Sequence, residues 1–304
     1  MKIQTRVRFI FITCLLLSAQ RPALAALHVF ACEPEWGALA QELGGDKVSV
    51  YNATTALQDP HQVQARPSLL AQVRKADLVV CTGAELEIGW LPLLLRQGGN
   101  DKVQPGKPGN FAAAESVRAL EVPTRLDRSE GDVHPYGNPH IQTDPRNIAK
   151  VAQALATRLA EVDAAQATFY AARYQAFATR WQQAIARWEQ QAAPLRGMPI
   201  VVQHKGWIYL QDWLGFTEVA TLEPKPGIPP SSGYLASVLE QLRQQPARMV
   251  IRAAYQDAHA SDWLSKQTGI AAVELPFPVG GTDGAQDLYG LFDDTLARLL
   301  SALK

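Results

Sequence analysis

Charge of one sign is missing from this sequence. Its 304 residues hold 29 Lys and Arg against 29 Asp and Glu. No basic run interrupts the balance, so an electrostatic grip on nucleic acid has nothing to build on. Cysteine is scarce, with three residues, and their wide spacing is unlike that of a thiolate zinc motif. There is no low-complexity tract and no short-period repeat, which excludes solenoids and compositionally disordered tails. No apolar run reaches the roughly 20 residues that a membrane-spanning helix needs. No HExxH-type helix is present either, so the usual metalloprotease arrangement is absent. Histidine numbers only six, and the position of each therefore carries weight.

What is there reads as globular: 47% hydrophobic and 19% charged residues, in a length that accommodates two domains. Residues 1–25 stand apart. Lys2, Arg6 and Arg8 precede an apolar run, Phe9 to Leu17, and Ala23-Leu24-Ala25 supplies a small-x-small cleavage site. This is the pattern of a secretory signal peptide, with the mature chain expected to start near Ala26. Cys14, inside the apolar run, is poorly set for lipidation. Export would leave Cys32 and Cys81 in an oxidising compartment. Each ends a predicted strand. They could form a disulfide if the strands are neighbours, or remain two buried thiols.

From Leu27 onward, short β runs alternate with helical patterns. Strands are expected at Leu27–Ala31, Val48–Tyr51 and Asp77–Val80, and again at Pro199–Gln203, Val219–Leu222, Met249–Ile251 and Ala271–Leu275. Such alternation implies mainly parallel α/β sheets. Gly98 to Pro139 is irregular, with several Gly and Pro. Between the two α/β stretches lies a long helical pattern. Asp144-Pro145 is a good cap and first-turn pair. Apolar residues then recur three or four apart, from Ile148 to Leu159 and from Phe169 to Trp188. After a break at Glu161-Val162, a helix of about 30 residues, about 45 Å long, is expected from Asp163 to Ala193. The expected organisation is an N-terminal α/β lobe (26–160), a linking helix (161–195) and a C-terminal α/β lobe (196–304). The fold class is thus α/β, two lobes with mainly parallel sheets joined by a long rigid helix.

In open α/β sheets, ligands gather at the carboxyl ends of strands. His61, His204 and Asp283 all follow predicted strands, and His140 directly precedes the long helical pattern. Three imidazoles and a carboxylate suit a borderline divalent ion. Taken singly, each could equally be a satisfied core or turn residue. His28 and His259 sit in no motif, and Glu223, in a Pro-rich loop after a strand, reads as a surface residue more readily than as one that supports a ligand.

Several boxes together resemble the metal-binding cluster of solute-binding proteins that serve ABC importers for zinc, manganese or iron. They are Asp59-Pro60-His61 with Arg66-Pro67-Ser68, Ala76-Asp77-Leu78-Val79-Val80, Thr82-Gly83-Ala84-Glu85-Leu86-Glu87, Asn138-Pro139-His140-Ile141-Gln142-Thr143-Asp144-Pro145, and Gln203-His204-Lys205. The resemblance covers essentially the whole mature chain. It implies metal in the cleft between the lobes, held by His61, His140, His204 and Asp283. It also implies a non-enzymatic periplasmic monomer that hands its ion to an inner-membrane permease. Its placement of the first and third strands side by side implies the Cys32–Cys81 disulfide. Two departures matter. Asn138 stands where the family box has Asp, and the stretch from Arg125 to Gly137 holds only His134, where some zinc relatives carry a His-rich loop. Retention of His204 rather than Glu points to Zn2+ as the cargo, because nitrogen-rich sites favour zinc over manganese. Manganese or iron binding within the same family is the alternative. Outside it, a secreted zinc hydrolase would need an open coordination position and a general base. A binder of haem or a siderophore would need a wide apolar cleft.

Overall fold

The computed structural model describes residues 26–125, 131 and 133–304. The leader read from residues 1–25, and part of the stretch around His134, lie outside these. Among the described residues no helix is long and apolar enough to cross a membrane.

Among the described residues two four-stranded sheets organise the chain, and every strand pairing within them is parallel. The first contains β1 (Leu27–Ala31), β2 (Val48–Asn52), β3 (Leu78–Cys81) and β4 (Asn110–Ala112), in the order β2-β1-β3-β4. The second contains β5 (Pro199–Val202), β6 (Thr217–Thr221), β7 (Met249–Ala253) and β8 (Ala271–Leu275), in the order β6-β5-β7-β8. The second sheet repeats the topology of the first, although the two sequences share no visible repeat. β4 falls in the stretch that reads as irregular.

Parallel strands buried on both faces need apolar residues at every position, and alternate side chains then serve opposite faces. In β1, Val29 and Ala31 point into one core while Phe30 and Cys32 point into another. β3 divides the same way, Leu78 and Val80 against Val79 and Cys81. In the second sheet Ile200, Val202, Met249 and Ile251 join the same core as Val29 and Val80, while Val201 and Val250 face an outer cluster. One core therefore lies between the sheets, and an outer cluster backs each of them. The outer face of the first sheet is covered by α2 (Pro67–Lys75) and α3 (Leu91–Gly98). That of the second is covered by α7 (Ser232–Gln244) and α8 (His259–Thr268).

The shared core is filled by α1 (Pro34–Gly44), α4 (Pro145–Val162), α5 (Ala167–Gln191), α6 (Ile208–Leu214) and α9 (Leu288–Ser301). Asp144 caps α4 as expected, accepting from Arg146 N at 2.7 Å, with Pro145 in the first turn. The linking helix is shorter than the expected span from Asp163 to Ala193. Residues 164–166 form a 3-10 turn, so α5 has 25 residues and spans about 38 Å. α4 and α5 fold back on one another, with Trp181 Nε1 donating to the Pro145 carbonyl at 2.8 Å. Tyr170, Phe177, Trp181, Ile185 and Trp188 are the buried face of α5. At about 25 cal/mol per Å2, each large aromatic buried there contributes about 4–6 kcal/mol against its exposed state. Trp181 and Trp188 both pack on Phe292 of α9, and α5 also packs against α1. The long helix is thereby fixed to both halves of the chain.

β1 and β3 are neighbours, with Ala31 opposite Val80. That register sets Cys32 beside Cys81, and the two form a disulfide with Cα atoms 4.8 Å apart. Beside it lies a group that the sequence does not announce. Glu33, Glu35 and Glu87 are all buried. Thr82 N donates to Glu33 and to Glu87, and Gly83 N donates to Glu87. Burial is the main force raising all three carboxyls, Glu35 to about 8 and Glu87 to about 7.

Candidate metal centre

Three chain segments deliver histidines to one point at the carboxyl edges of the sheets. His61 lies in the loop after β2, His140 immediately before the turn leading into α4, and His204 two residues after β5. One ring nitrogen from each lies within 4.8 Å of the others. Their ring centroids form a nearly equilateral triangle, 5.3, 5.6 and 5.9 Å on its sides. Three imidazoles bound to one zinc at about 2.0–2.1 Å, with tetrahedral angles, have centroids about 5 Å apart. The triangle is therefore close to a metal-ready geometry.

Each ring is aimed by its own neighbours. Asp59 Oδ1 accepts from the His61 backbone N at 3.0 Å and from its Nδ1 at 2.8 Å. The buried Trp90 pins the loop by donating to the Pro60 carbonyl. Glu223 Oε2, 2.8 Å from His204 Nδ1, also accepts from Gly227 N at 2.8 Å. With Nδ1 of each set against a carboxylate, His61 and His204 have Nε2 left to face the centre, the arrangement that orients a metal-ligating imidazole and raises its basicity. His140 is 1% exposed and its Nδ1 has no partner. Its ring packs edge-on to Phe277, centroids 5.0 Å apart. Burial first, and then the neighbouring imidazoles, hold His140 well below the ordinary histidine range, so it is neutral and ready to coordinate. Burial pushes the Asp59 carboxyl up, but its hydrogen bond and charge interaction with His61 outweigh this and leave it lowered.

Asn138 explains its own departure from the family box. Its amide donates to Glu121 Oε2 at 2.9 Å and to the Lys205 carbonyl at 2.7 Å, while its side-chain oxygen accepts from His140 N at 3.1 Å. It ties the His140 segment to the His204 segment, and an Asp could not make the two donations. Gly206 is required by close approach. A Cβ there would stand 3.0 Å from His140 Cδ2 and 3.2 Å from His204 Cδ2.

Of the four residues expected to meet, the structure brings three together. Asp283 is exposed in the loop between β8 and α9 and is not among the ligand atoms gathered at the centre. Its turn closes on itself, with Gly280 N and Ala285 O, and Ala285 N and Thr282 O, hydrogen-bonded. Glu223 is a partner of His204 rather than the surface residue its loop suggested. The Asp59 role has a local signal, an acid two residues before a His, which can accept from that residue's backbone N–H. Glu223 has none, because its partner is 19 residues away. The centre borders two cavities, of about 1180 Å3 on the Glu223 and Tyr255 side and about 260 Å3 on the His134 and Lys205 side.

The sequence model of one protein family, described as "ZnuA: Zinc-uptake complex component A periplasmic", matches residues 29–302. Among curated proteins the chain is similar to the metal ABC transporter substrate-binding lipoprotein ScbA of Streptococcus cristatus. The two are 26% identical over 156 residues, 50% of this chain and 47% of that protein. The chain thus spans about half the length of such relatives. Its fold is similar to the crystal structure of ZnuA, with TM-score 0.75 and 20% identity, covering 92% of this chain and 100% of the other. It is equally similar to FpvC from Pseudomonas aeruginosa in complex with Mn2+, with TM-score 0.75 and 19% identity, covering 91% and 98%.

Proposed function

The chain belongs to the family of the periplasmic zinc-uptake component A, the metal-binding substrate-binding proteins of ABC importers, and on that premise we propose that it captures Zn2+ and delivers it to a membrane permease. Family membership makes it a binding protein and not an enzyme, and the hydrolase alternative falls with that. In this reading His61, His140 and His204 hold the ion. The mature chain works as a monomer in the periplasm once the leader 1–25 has been removed. Asp283, expected as a fourth ligand from resemblance, enters only if the turn at 280–285 opens.

The observation that carries the reading is the triangle of imidazoles, two of them backed by carboxylates. The chemistry of the donors favours zinc. Neutral nitrogen ligands suit a borderline ion, whereas Mn2+ prefers oxygen. Relatives are named for manganese, and FpvC is described with Mn2+, so the choice of ion has to be measured. The test is chelator competition with Zn2+ and Mn2+ on the purified chain and on His140→Ala and His204→Ala. Tighter binding of Zn2+, lost by orders of magnitude in both variants, is expected. Wild-type affinity in folded His140→Ala and His204→Ala would mean that the ion is held elsewhere.

A further inference from the structure

A fourth imidazole borders the centre from the segment before Asn138, beside His61 but outside the three-histidine group whose nitrogens lie within 4.8 Å of one another. His134 Nε2 lies 3.3 Å from His61 Nε2, and the ring centroids are 5.3 Å apart. The His134 ring is also 6.5 Å from that of His140. Since Asp59 holds His61 Nδ1, Nε2 is the atom His61 has left for an ion. Two nitrogens each about 2.0–2.1 Å from a zinc, at a tetrahedral angle, lie about 3.3–3.4 Å apart. The His61–His134 spacing matches one edge of that tetrahedron.

The contacts of the segment hold it in place. The Ala84 backbone lies close enough to the His134 ring to act on its charge. Nε2 of His61 and Nε2 of His134 face each other across 3.3 Å, a contact that a shared proton or a cation between them would satisfy. Ala84 and Glu85 follow β3 with φ of 51° and 67°, in a turn whose Thr82 and Gly83 amides are held by Glu87. On the other side, Gly131 packs so closely on the Pro-rich loop that a Cβ would come 2.4 Å from the Pro226 carbonyl oxygen.

We propose that His134 is the fourth ligand of the ion, completing a four-imidazole site without Asp283. This rests on the three-histidine reading above and adds a basis for selectivity. A ligand set without a coordinated carboxylate offers Mn2+ little of the oxygen donation it prefers, while it suits zinc. Asp59 and Glu223, one bond further out, then supply the negative charge.

The experiment uses the full mature chain and its His134→Ala, His134→Gln, Asp283→Ala and His140→Ala variants, with folding checked by circular dichroism. Zinc affinity is read by chelator competition, and zinc-edge X-ray absorption counts the imidazoles bound. We expect four imidazoles in the wild type and three in His134→Ala. Zinc affinity should fall in both His134 variants by more than the roughly 10–100-fold that loss of an outer-sphere partner costs, with the preference over Mn2+ narrowed and Asp283→Ala unchanged. Wild-type zinc affinity in His134→Ala, or three imidazoles plus a carboxylate in the wild type, overturns the assignment while leaving the three-histidine site standing. Undiminished affinity in His140→Ala removes both.

Discussion

Gly206→Ala tests how tightly the candidate centre is packed without removing any of its histidines. The added methyl would meet His140 Cδ2 at 3.0 Å, Phe277 Cζ at 3.1 Å and His204 Cδ2 at 3.2 Å. Each neighbour must retreat by roughly 0.2–0.4 Å to reach ordinary contact distance. Phe277 is 3% exposed and packed against Trp207 and Tyr255, so the imidazoles have to give way. Overpacking of this kind costs about 1–3 kcal/mol. Without metal, the two rings can turn toward the adjoining cavities and relieve much of that. With metal bound, each nitrogen is tied to its ion within about 0.2 Å, and the cost falls mainly on the bound state. Zinc affinity should therefore drop about 5–150-fold, while the melting temperature of the metal-free chain changes little. Chelator competition gives the first quantity and a thermal melt the second. Wild-type zinc affinity in a folded Gly206→Ala chain would refute the idea that these rings are locked by packing.

Asp59→Asn and Glu223→Gln keep the size of the side chains but remove the charges behind His61 and His204. Each should weaken zinc binding about 10–100-fold in the same titration, and no change would show that these carboxylates do not tune the ligands. The buried acids predict a pH dependence of stability in the metal-free chain. Glu35 and Glu87 are raised, mainly by burial, to about 8 and about 7, and Glu33 moves in the same direction. A raised folded value means that their contribution is full below the unfolded range and is lost as pH rises through about 7–8. Denaturant midpoints should fall across that interval and flatten in Glu35→Gln; a midpoint that rises with pH there would contradict the argument. Reducing the Cys32–Cys81 disulfide should cost about 2–4 kcal/mol. Denatured, unreduced mature chain should offer no thiol to a labelling reagent, and two labelled thiols per chain would count against the bond.

Much of the architecture is legible in the sequence because its signals are local. Apolar runs of four or five residues bounded by Gly, Pro or Asp mark most of the strands, and the 3.6 period marks the buried faces of α4 and α5. Where a helix ends is less local. No Gly or Pro marks residues 164–166, yet the chain makes a tighter turn there. β4 has three residues, too few for an alternation to register among glycines and prolines. In the site, His61, His140 and His204 stand at strand and helix ends, where topology sends ligands. Glu223 meets His204, and His134 meets His61, only through the tertiary fold, from loops without any periodic signal. Asp283 shows the converse. A position in a familiar box says which residue could coordinate, but the hydrogen bonds of its turn decide where the carboxylate sits.

The core between the sheets belongs to neither half alone. Val29 and Val80 of the first sheet, Ile200 and Ile251 of the second, and the aromatic face of α5 form one continuous apolar body. Two lobes that share such a body cannot melt independently, because exposing the inner face of either sheet strips contacts from the other. Calorimetry should accordingly find one transition, and a bound ion should raise the melting of the entire chain. The same coupling bears on the proposed release of the ion. Prising the lobes apart would mean opening the core, at a cost comparable to unfolding. In the proposed reading, a partner that unloads the site reaches it from the cavity that His61, His204 and Glu223 line, leaving that core closed.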